Sequence, residues 1–583
     1  MSIVGMATKI MLTREDIFAI QESERNARLQ AILDSDAPKK IIVAGAGTGK
    51  TYTFERLLKL MPKGNNLVLT FINKLKDDMH SKLGEMSKVQ TFHEFSIGRL
   101  RSLKYELSIY PKIYTIIESD SDNRISGISE HFQKLDWDEG QLNYCLARMN
   151  YYKTHGFDDA LYLLLENIRL GKVRFKEYDI ILIDEFQDFN ALEVALIKEL
   201  EKHGNIVIVG DDEQALYDFR NASPVFLREF YQRENFEKFS LPFCSRCPDV
   251  IVKSLKDVVS VAESNGYLNG HIPREYECFS KDKEVENKRY PHIKHIRLVE
   301  SWTIPQFIKN QIEKIPKDDI EDSRKVGDPY PTVLILGPKH YLQLIKSKLN
   351  ESGMAVKYQQ STTSKKVKLC EGYEIIILEE DSNIGWRIVA EACMSRKKVL
   401  KLVPLMNNGT RVIDILPKEF VEAHRKAIEV IKDYDFESGC KTELYDKLFP
   451  ILMKTRSNSI CDFCFPELEE EEEEEETEID IEKPEIILSS VMKSKGLQAG
   501  FVFLVGANNG ELPIDPKNIK DNEICQFIVA LTRAKKECYI VSNTISMVMN
   551  TVTNKPFEYN ASEFVSWIDA KRIKVLNNRD IWF

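Results

Sequence analysis

The sequence predicts an α/β protein whose parallel sheets are flanked by helices, and three junctions between an apolar run and a polar loop support this prediction. Residues 41–43 lead into a glycine-rich loop, residues 180–183 lead into adjacent carboxylates, and residues 206–209 lead into a polar segment. Short apolar runs are typical of strands that are buried on both faces, and ligand-binding loops follow the carboxyl ends of such strands. Three such junctions in succession indicate a doubly wound sheet.

Length and composition limit the architecture. At 583 residues the chain is too long for one core, and we expect about three or four domains. No apolar run approaches the ~20 residues of a membrane helix, and the N-terminus lacks a signal pattern. Eleven cysteines over this length do not form the disulfide framework of a secreted domain. We therefore expect a soluble, cytoplasmic protein with no membrane partner.

The charge of the chain is concentrated in one segment. Residues 467–480 carry eleven acidic side chains and no basic ones, and without them the net charge of -10 becomes +1. A near-neutral body can carry a basic groove, so the pI of about 5.7 does not exclude a nucleic-acid partner. The simplest interpretation of the acidic run is a solvated linker. The alternative is a mimic of a phosphate backbone that covers a basic groove.

The glycine-rich loop has the residues of a phosphate-binding loop. In order they are Ala44, Gly45, Ala46, Gly47, Thr48, Gly49, Lys50 and Thr51, and a plausible helix follows. The backbone N–H groups of such a loop cradle phosphates, Lys50 reaches the β- and γ-phosphates, and Thr51 holds Mg²⁺. The strict pattern has glycine where Ala44 stands, so the alternative is a plain turn between a strand and a helix.

The second and third junctions supply the groups that hydrolysis of ATP requires. Asp184 is predicted to bind Mg²⁺, and Glu185 is predicted to polarise the water that attacks the γ-phosphate. Gln214, after the third strand, is placed to touch the γ-phosphate or this water. The alternative for residues 184–188 is an acidic surface turn, which the apolar residues leading directly into them disfavour.

With these motifs in order, the chain resembles the superfamily 1A helicases of the UvrD/Rep/PcrA type. The resemblance covers most of the chain and rests on residues 44–51, 69–74, 91–95, 184–188, 210–220, 494–497 and 529–536. It implies two RecA-like P-loop domains with ATP and Mg²⁺ between them, each interrupted by a mainly helical insertion. It also implies movement from 3′ to 5′ on single-stranded DNA and at junctions of single- and double-stranded DNA.

The spacing of the motifs agrees with this division. The first RecA-like domain is predicted at residues 1–95 plus 176–240, with a helical insertion at 96–175. The second is predicted at 241–379 plus 481–583. A reduced insertion at 380–480 ends in the acidic linker, residues 467–480.

The resemblance also assigns residues to the cleft and to the strand. Arg246 and Arg533 are expected to reach ATP from the second domain, and Gln30, with Gln21 as the second choice, to contact the adenine edge. The DNA contacts that it implies are three stacking rings (Phe71, Tyr217 and Phe219) and three groups near the backbone (Thr91, His93 and Arg220). Stacking on bases tolerates any sequence, as a translocating motor requires.

Three positions depart from the family. Ser245 stands where the family has a tyrosine that stacks on adenine, Met492 replaces a histidine that contacts phosphate, and Gln498 replaces a glutamate near the ribose. These changes alter details of nucleotide and strand contact. Because the phosphate loop, the two carboxylates, Gln214 and both arginines are retained, we predict an active ATPase.

Two further patterns are weaker. The pairs Cys244/Cys247 and Cys461/Cys464 have the spacing of zinc ligands, although buried or reactive thiols are the default interpretation. Residues 382–387 form a conspicuous cluster that we expect to be exposed, either as a packing corner or as a partner contact.

Three functions follow from these observations. The first is an ATP-driven translocase and DNA helicase that acts in DNA repair or in defence against foreign DNA. The second is an ATPase subunit that does not unwind DNA and regulates a partner nuclease. The third, a catalytically silent scaffold, is disfavoured because the catalytic residues are intact.

Overall fold

The computed structural model describes residues 13–61, 64–71, 73–175, 177–325, 329–359, 366–434, 441–452, 483–549 and 556–582. The acidic run at 467–480 and the pair Cys461/Cys464 lie outside these residues, so what the sequence predicts for them stays a prediction. Within the described ranges, no helix combines the length and apolarity needed to cross a membrane.

Strands and helices alternate along most of the chain. The strands are β1 (Lys39–Ala44), β2 (Asn66–Thr70), β3 (Lys88–Thr91), β4 (Ser108–Ile109), β5 (Thr154–His155), β6 (Tyr178–Ile183), β7 (Gly204–Gly210), β8 (Glu237–Leu241), β9 (Phe243–Cys244), β10 (Glu277–Cys278), β11 (Ile293–Glu300), β12 (Val333–Leu336), β13 (Val356–Gln359), β14 (Ile486–Ser489), β15 (Ala499–Val505), β16 (Ala534–Met549), β17 (Pro556–Glu558) and β18 (Ile573–Asn577).

The helices surround the sheets and form the insertions. They are α1 (Arg14–Asp34), α2 (Lys50–Leu60), α3 (Asn73–Leu83), α4 (Phe92–Ser102), α5 (Ile113–Asp120), α6 (Ile128–Lys134), α7 (Glu139–Tyr152), α8 (Phe157–Arg169), α9 (Ala191–Leu200), α10 (Pro224–Gln232), α11 (Asp249–Ser264), α12 (Glu284–Arg289), α13 (Ile304–Ile312), α14 (Lys317–Ser323), α15 (Lys339–Glu351), α16 (Leu369–Leu378), α17 (Asn383–Cys393), α18 (Arg396–Leu400), α19 (Val403–Asn407), α20 (Val412–Ile415), α21 (Lys418–Lys432), α22 (Lys441–Leu452), α23 (Asp521–Leu531), α24 (Glu563–Ser566) and α25 (Asn578–Trp582).

The first sheet is parallel and has the strand order β3-β2-β6-β7-β1-β8. Its central strands are apolar and buried on both faces, as expected for a parallel sheet covered by helices. Because β6, β7 and β1 are neighbours, the loops that follow them emerge side by side at one edge. This topology brings the three polar junctions of the sequence together, and the predicted α/β fold class is confirmed.

The second sheet has the order β13-β14-β12-β15-β16-β11-β18 and is also parallel along this path, with β17 antiparallel to β16. Separate apolar clusters pack on its two faces, one with α11 and α23 and the other with α13 and α15. The chain therefore contains a second three-layer α/β body.

Helical insertions leave both sheets and pack against each other. Helices α5–α8 lie between β3 and β6, and α16–α22 lie between β13 and β14. One apolar cluster runs from the first sheet through both sets of helices. Leu369 and Tyr373 of α16 already belong to this cluster, so the second helical body begins before residue 380.

A buried ionic cluster joins the two insertions. Asp120 Oδ1 of α5 accepts a hydrogen bond from Arg387 Nε of α17 (2.9 Å), and Asp120 Oδ2 accepts from Arg148 Nε of α7 (2.9 Å) and from the Tyr152 hydroxyl (2.6 Å). The expectation that residues 382–387 are exposed is therefore wrong. Trp386 and Arg387 are fully buried, because Asp120 compensates the guanidinium and the indole packs between the helices.

Candidate nucleotide site and nucleic-acid interface

The phosphate loop follows β1 and ends where α2 begins at Lys50. Gly47 (φ 68°) and Gly49 (φ 94°) adopt left-handed backbone conformations, and a Cβ on Gly47 would lie 2.4 Å from Arg246 Cβ. Both positions therefore require glycine. Ala44, the departure from the strict pattern, is the last residue of β1 and pairs with Leu241, so its methyl group is buried in the sheet. The loop tolerates alanine there.

Lys50 and Glu185 form the centre of the site. Lys50 Nζ donates to Glu185 Oε1 (2.7 Å), Gln187 Nε2 donates to Glu185 Oε2 (2.7 Å), and Lys495 Nζ lies 3.3 Å from the same oxygen. Burial alone would raise the pKa of Glu185, but Lys495 and Lys50 outweigh it and hold this pKa below its usual value. Glu185 is therefore ionised and can accept a proton.

The pKa of Asp184, beside Glu185, is shifted in the opposite direction. Burial and the charge of Glu185 raise the pKa of Asp184 to about 7. Its Oδ1 atom is buried and has no hydrogen-bond partner among the described residues. An unpartnered buried carboxylate oxygen next to a phosphate loop is a ligand that suits Mg²⁺. Thr51, which lines the adjoining cavity, supplies a second oxygen, so the residues fit this ion.

Residues of both α/β bodies line a cavity of 280 Å³ at the phosphate loop. On one side are residues 47–52, and on the other are Ser245, Arg246, Gln498 and Lys535. Ser245 N donates to Gly47 O (3.0 Å) across this cleft. Arg246 Nε is buried and donates to none of the described residues. The predicted Arg246 thus lies opposite the phosphate loop with an unused donor.

The other predicted arginine, Arg533, contacts Gln214. Arg533 Nη2 donates to Gln214 Oε1 (3.2 Å), and Gln214 Nε2 donates to Asp211. Burial and the neighbouring Arg246 lower the pKa of Arg533 to about 10, so it stays protonated near neutral pH. The structure therefore brings Gln214 and Arg533 together behind the cleft.

Sequence reasoning missed a cation that holds this arrangement. Arg274, in the loop between α11 and β10, pairs with Asp211 and with Glu213 Oε2 (2.5 Å). His271 Nδ1 of the same loop lies 3.4 Å from Glu213 Oε1. The acidic segment 211–213 was a signal that cations are needed, but their position sixty residues later is set by the fold. Arg274 links the second body to Gln214 through Asp211.

Neither of the predicted contacts to adenine lines the cavity. Gln30 is exposed on α1 and donates to Asp34 Oδ1 (2.6 Å), and it does not line the cavity. Gln21, on the same helix, is hydrogen-bonded to the backbone of Cys278 and Ser280. Tyr52, which sequence reasoning did not single out, lines the cavity and is 48% exposed. It is the aromatic side chain available to a base there.

The predicted stacking residues form one aromatic cluster. The rings of Phe71 and Tyr217 lie 4.7 Å apart, those of Tyr217 and Phe219 lie 5.8 Å apart, and Arg220 Cζ lies 4.7 Å from the Phe71 ring centre. Phe219 is 62% exposed, whereas Phe71 is 9% exposed. Phe219 is therefore the ring that a base can reach without rearrangement.

Of the other two predicted strand contacts, Thr91 is engaged within the protein, whereas His93 Nε2 has no hydrogen-bond partner among the described residues. Thr91 Oγ1 accepts from Glu94 N (3.2 Å) as the N-cap of α4. His93 is partly buried 4.0 Å from Asp158, and burial lowers its pKa to about 4. Neither Thr91 nor a neutral His93 offers a free charge to a phosphate.

Lys495 connects the aromatic cluster to the nucleotide site. Its ammonium pairs with Asp188 and Glu185 and lies 5.9 Å from the centre of the Tyr217 ring. Burial alone would lower its pKa, but Asp188 and Glu185 raise it above the usual value. Lys495 comes from the second body. A change in the relative position of the two bodies would therefore alter its contacts at both the nucleotide site and the aromatic cluster.

Comparison with known proteins places these features in a family context. The protein-family model described as AAA domain matches residues 28–220. The family model described as UvrD-like helicase C-terminal domain matches residues 425–544. The chain is 24% identical to the probable DNA helicase II homolog of Mycoplasma capricolum, with 93% of this chain and 87% of that protein covered. It is 23% identical to the probable DNA helicase II homolog of Mycoplasma pneumoniae, with 89% and 84% covered. It is also 23% identical to the ATP-dependent DNA helicase Rep of Buchnera aphidicola subsp. Schizaphis graminum, with 86% and 90% covered.

Proposed function

Since the chain belongs to the UvrD-like superfamily 1A helicases, we propose that it is a DNA helicase that couples hydrolysis of ATP to movement on single-stranded DNA. The observation that carries the proposal is that Lys50, which pairs with Glu185, and Arg246 line one cavity between the two bodies, while Arg533 contacts Gln214 behind it. A cleft that places cations of one body against the phosphate loop of another can respond to the γ-phosphate. The finer parts of the proposal are movement from 3′ to 5′ and a role in repair or in defence against foreign DNA.

The hydrolytic step uses the side chains of the cleft. Glu185, held ionised by two lysines, takes the proton of the attacking water, and Gln214 orients this water. Lys50, Arg246 and Arg533 neutralise charge that develops on the phosphoryl oxygens, and a cis arginine finger contributes ~10³ or more in rate. When bound by Asp184 and Thr51, Mg²⁺ supplies further neutralisation of the phosphate charge.

Coupling to DNA follows from Lys495. This residue contacts the catalytic carboxylate and the Tyr217 ring together, so loss of the γ-phosphate shifts both the nucleotide site and the aromatic cluster. Bases stacked on Phe219 and its neighbours then move relative to the second body. Such stacking contributes about 1–3 kcal/mol per base and does not depend on base identity.

The test is steady-state ATP hydrolysis by the purified chain, alone and with single-stranded DNA, single-stranded RNA or blunt duplex DNA. The matched variant is Glu185→Gln, which keeps the side-chain shape and removes the base. We expect stimulation by single-stranded DNA that the variant abolishes. No turnover with any nucleic acid would contradict the proposal.

Unwinding is measured separately on duplexes with a 3′ or a 5′ single-stranded tail. We expect unwinding of the 3′-tailed duplex alone. Turnover that DNA stimulates without any unwinding would instead favour an ATPase that does not unwind DNA and regulates a partner nuclease. Unwinding of the 5′-tailed duplex alone would reverse the proposed polarity.

A further inference from the structure

Cys244, the last residue of β9, and Cys247 flank a turn that holds Ser245 and Arg246. Cys247 N donates a hydrogen bond to Cys244 Sγ (3.3 Å), and both are buried free thiols. Among the described residues, no group of three or more His, Cys, Asp or Glu side chains is arranged to hold a metal ion. The pair is therefore a dithiol within the described part of the chain.

This turn is part of the wall of the nucleotide cleft. The residues between the two cysteines, Ser245 and Arg246, line the 280 Å³ cavity, and Ser245 N bonds Gly47 O. Cys244 Sγ lies 3.1 Å from the position that a Cβ on Gly47 would take. Cys247 Sγ donates to Thr532 O (3.5 Å), next to Arg533. A change in the turn thus acts on the phosphate loop and on both arginines.

The surroundings favour reaction at Cys244. Burial alone would raise the pKa of its thiol, but hydrogen bonding from Cys247 and the charge of Arg246 lower this pKa below the usual value. A thiolate is the form that reacts with peroxides and disulfides. Cys247 supplies the second thiol three residues away, as in other Cys-x-x-Cys redox pairs.

We propose that Cys244 and Cys247 form a reversible disulfide that switches off the nucleotide site. A hydroperoxide oxidises the Cys244 thiolate to a sulfenic acid and is reduced to water or an alcohol. The Cys247 thiol then attacks that sulfur, the S–O bond breaks, and water leaves as the S–S bond forms. Two electrons pass from the two thiols to the peroxide O–O bond, and a small dithiol reverses the step.

The disulfide acts through Arg246. An S–S bond of about 2.05 Å closes a ring that contains Ser245 and Arg246 and forces the turn to change shape. A displacement of ~1 Å at a catalytic group costs ~10² in rate. We expect a loss of about 10²-fold in ATP turnover of the oxidised chain, and this part of the inference rests on the proposed ATPase function.

A third thiol provides the competing product. Cys278 of β10 pairs in register with Cys244 of β9, and its Sγ donates to Cys247 O (3.5 Å). Burial raises the pKa of Cys278 to about 12, so it reacts less readily than Cys244. A bond between Cys244 and Cys278 would leave the turn around Arg246 open, and it is a different outcome.

The experiment treats the full chain with hydrogen peroxide and maps disulfides after tryptic digestion without reduction. Trypsin cuts after Lys238, Arg246, Lys253, Arg274 and Lys281, so the three cysteines fall in the separate peptides 239–246, 247–253 and 275–281. We expect peptides 239–246 and 247–253 to be joined. A fluorescent ATP analogue should bind the oxidised chain at least tenfold more weakly, and dithiothreitol should restore binding and turnover.

Variants separate the pair from the third thiol. ATP turnover by Cys247→Ser, relative to the same variant under reducing conditions, should not fall on treatment with peroxide. ATP turnover by the matched control Cys278→Ser should still fall. A bond from 239–246 to 275–281 alone, no bond at all, or the expected bond with unchanged analogue binding would overturn the proposal. Because the map and the binding assay do not need turnover, failure of the proposed ATPase would be recognised separately.

Discussion

Replacement of Arg274 tests whether a residue outside the cleft positions Gln214, which we propose orients the attacking water. The side chain of Arg274 is buried and faces two carboxylates, Asp211 and Glu213, from the loop after α11. Asp211 in turn accepts a hydrogen bond from the side-chain amide of Gln214, and the side-chain oxygen Oε1 of Gln214 accepts one from Arg533. Arg274→Gln removes the cation at the start of this chain of contacts while it keeps a polar side chain of intermediate length.

The structure gives the size of the effect. Glu213 retains His271 at 3.4 Å, but Asp211 is fully buried, and the donors that remain to it among the described residues are neutral, such as Glu213 N (3.2 Å). Removing one partner of a buried ion pair costs about 3–5 kcal/mol of folding free energy. Once Asp211 shifts, Gln214 is released, and misplacement by ~1 Å costs ~10² in turnover. Arg274→Lys, which keeps the charge but lacks the forked guanidinium group, should lose less folding free energy and less turnover.

The assays are urea unfolding and ATP turnover at saturating ATP with single-stranded DNA. The matched control is Arg228→Gln, because Arg228 Nε pairs with the adjacent Asp212 (2.8 Å) and Asp212 makes no hydrogen bond to Gln214. We expect the control to lose stability but to keep its turnover. If Arg274→Gln lowers turnover no more than Arg228→Gln does, Arg274 is structural and does not position Gln214.

Three further predictions concern the base, the DNA strand and pH. Tyr52→Ala should raise the KM for ATP roughly two- to tenfold, since an aromatic stack contributes about 0.5–1.5 kcal/mol, and Tyr52→Phe should not; an unchanged KM in Tyr52→Ala would exclude stacking. Phe219→Ala should weaken single-stranded DNA binding by about 1–3 kcal/mol, equally for oligo(dT) and mixed sequence, as measured by fluorescence anisotropy; loss on one sequence alone would contradict sequence-independent stacking. Burial lowers the pKa of His424 from 6.5 to about 3 in the folded chain, so stability present above pH 6.5 is lost on acidification. At pH 5 this loss of folding free energy, measured by urea unfolding, is roughly 2 kcal/mol, and His424→Asn should reduce the loss.

The fold class could be predicted, and most candidate residues of the nucleotide site could be proposed, because their signals are local. A phosphate loop needs glycines, a lysine and a hydroxyl within eight consecutive residues, and a buried parallel strand is a short apolar run ending in polar residues. Residues 44–51, Asp184 and Glu185 could be assigned from such signals. The arginines and the aromatic residues were assigned by resemblance, because no local rule says that Arg246 faces Gly47.

Only the tertiary structure decided which distant groups meet. Arg274 reaches Asp211, Lys495 reaches Glu185, and Arg387 reaches Asp120 from segments sixty to more than three hundred residues away. A buried charge needs a counter-charge, but the sequence does not say which one, so residues 382–387 were misread as exposed. The sequence by itself determined the sheets and the phosphate loop through short-range stereochemistry. The packing of two α/β bodies and their insertions determined the cleft, the positioning ion pairs and the dithiol at its wall, because burial and electrostatic compensation act across the whole fold.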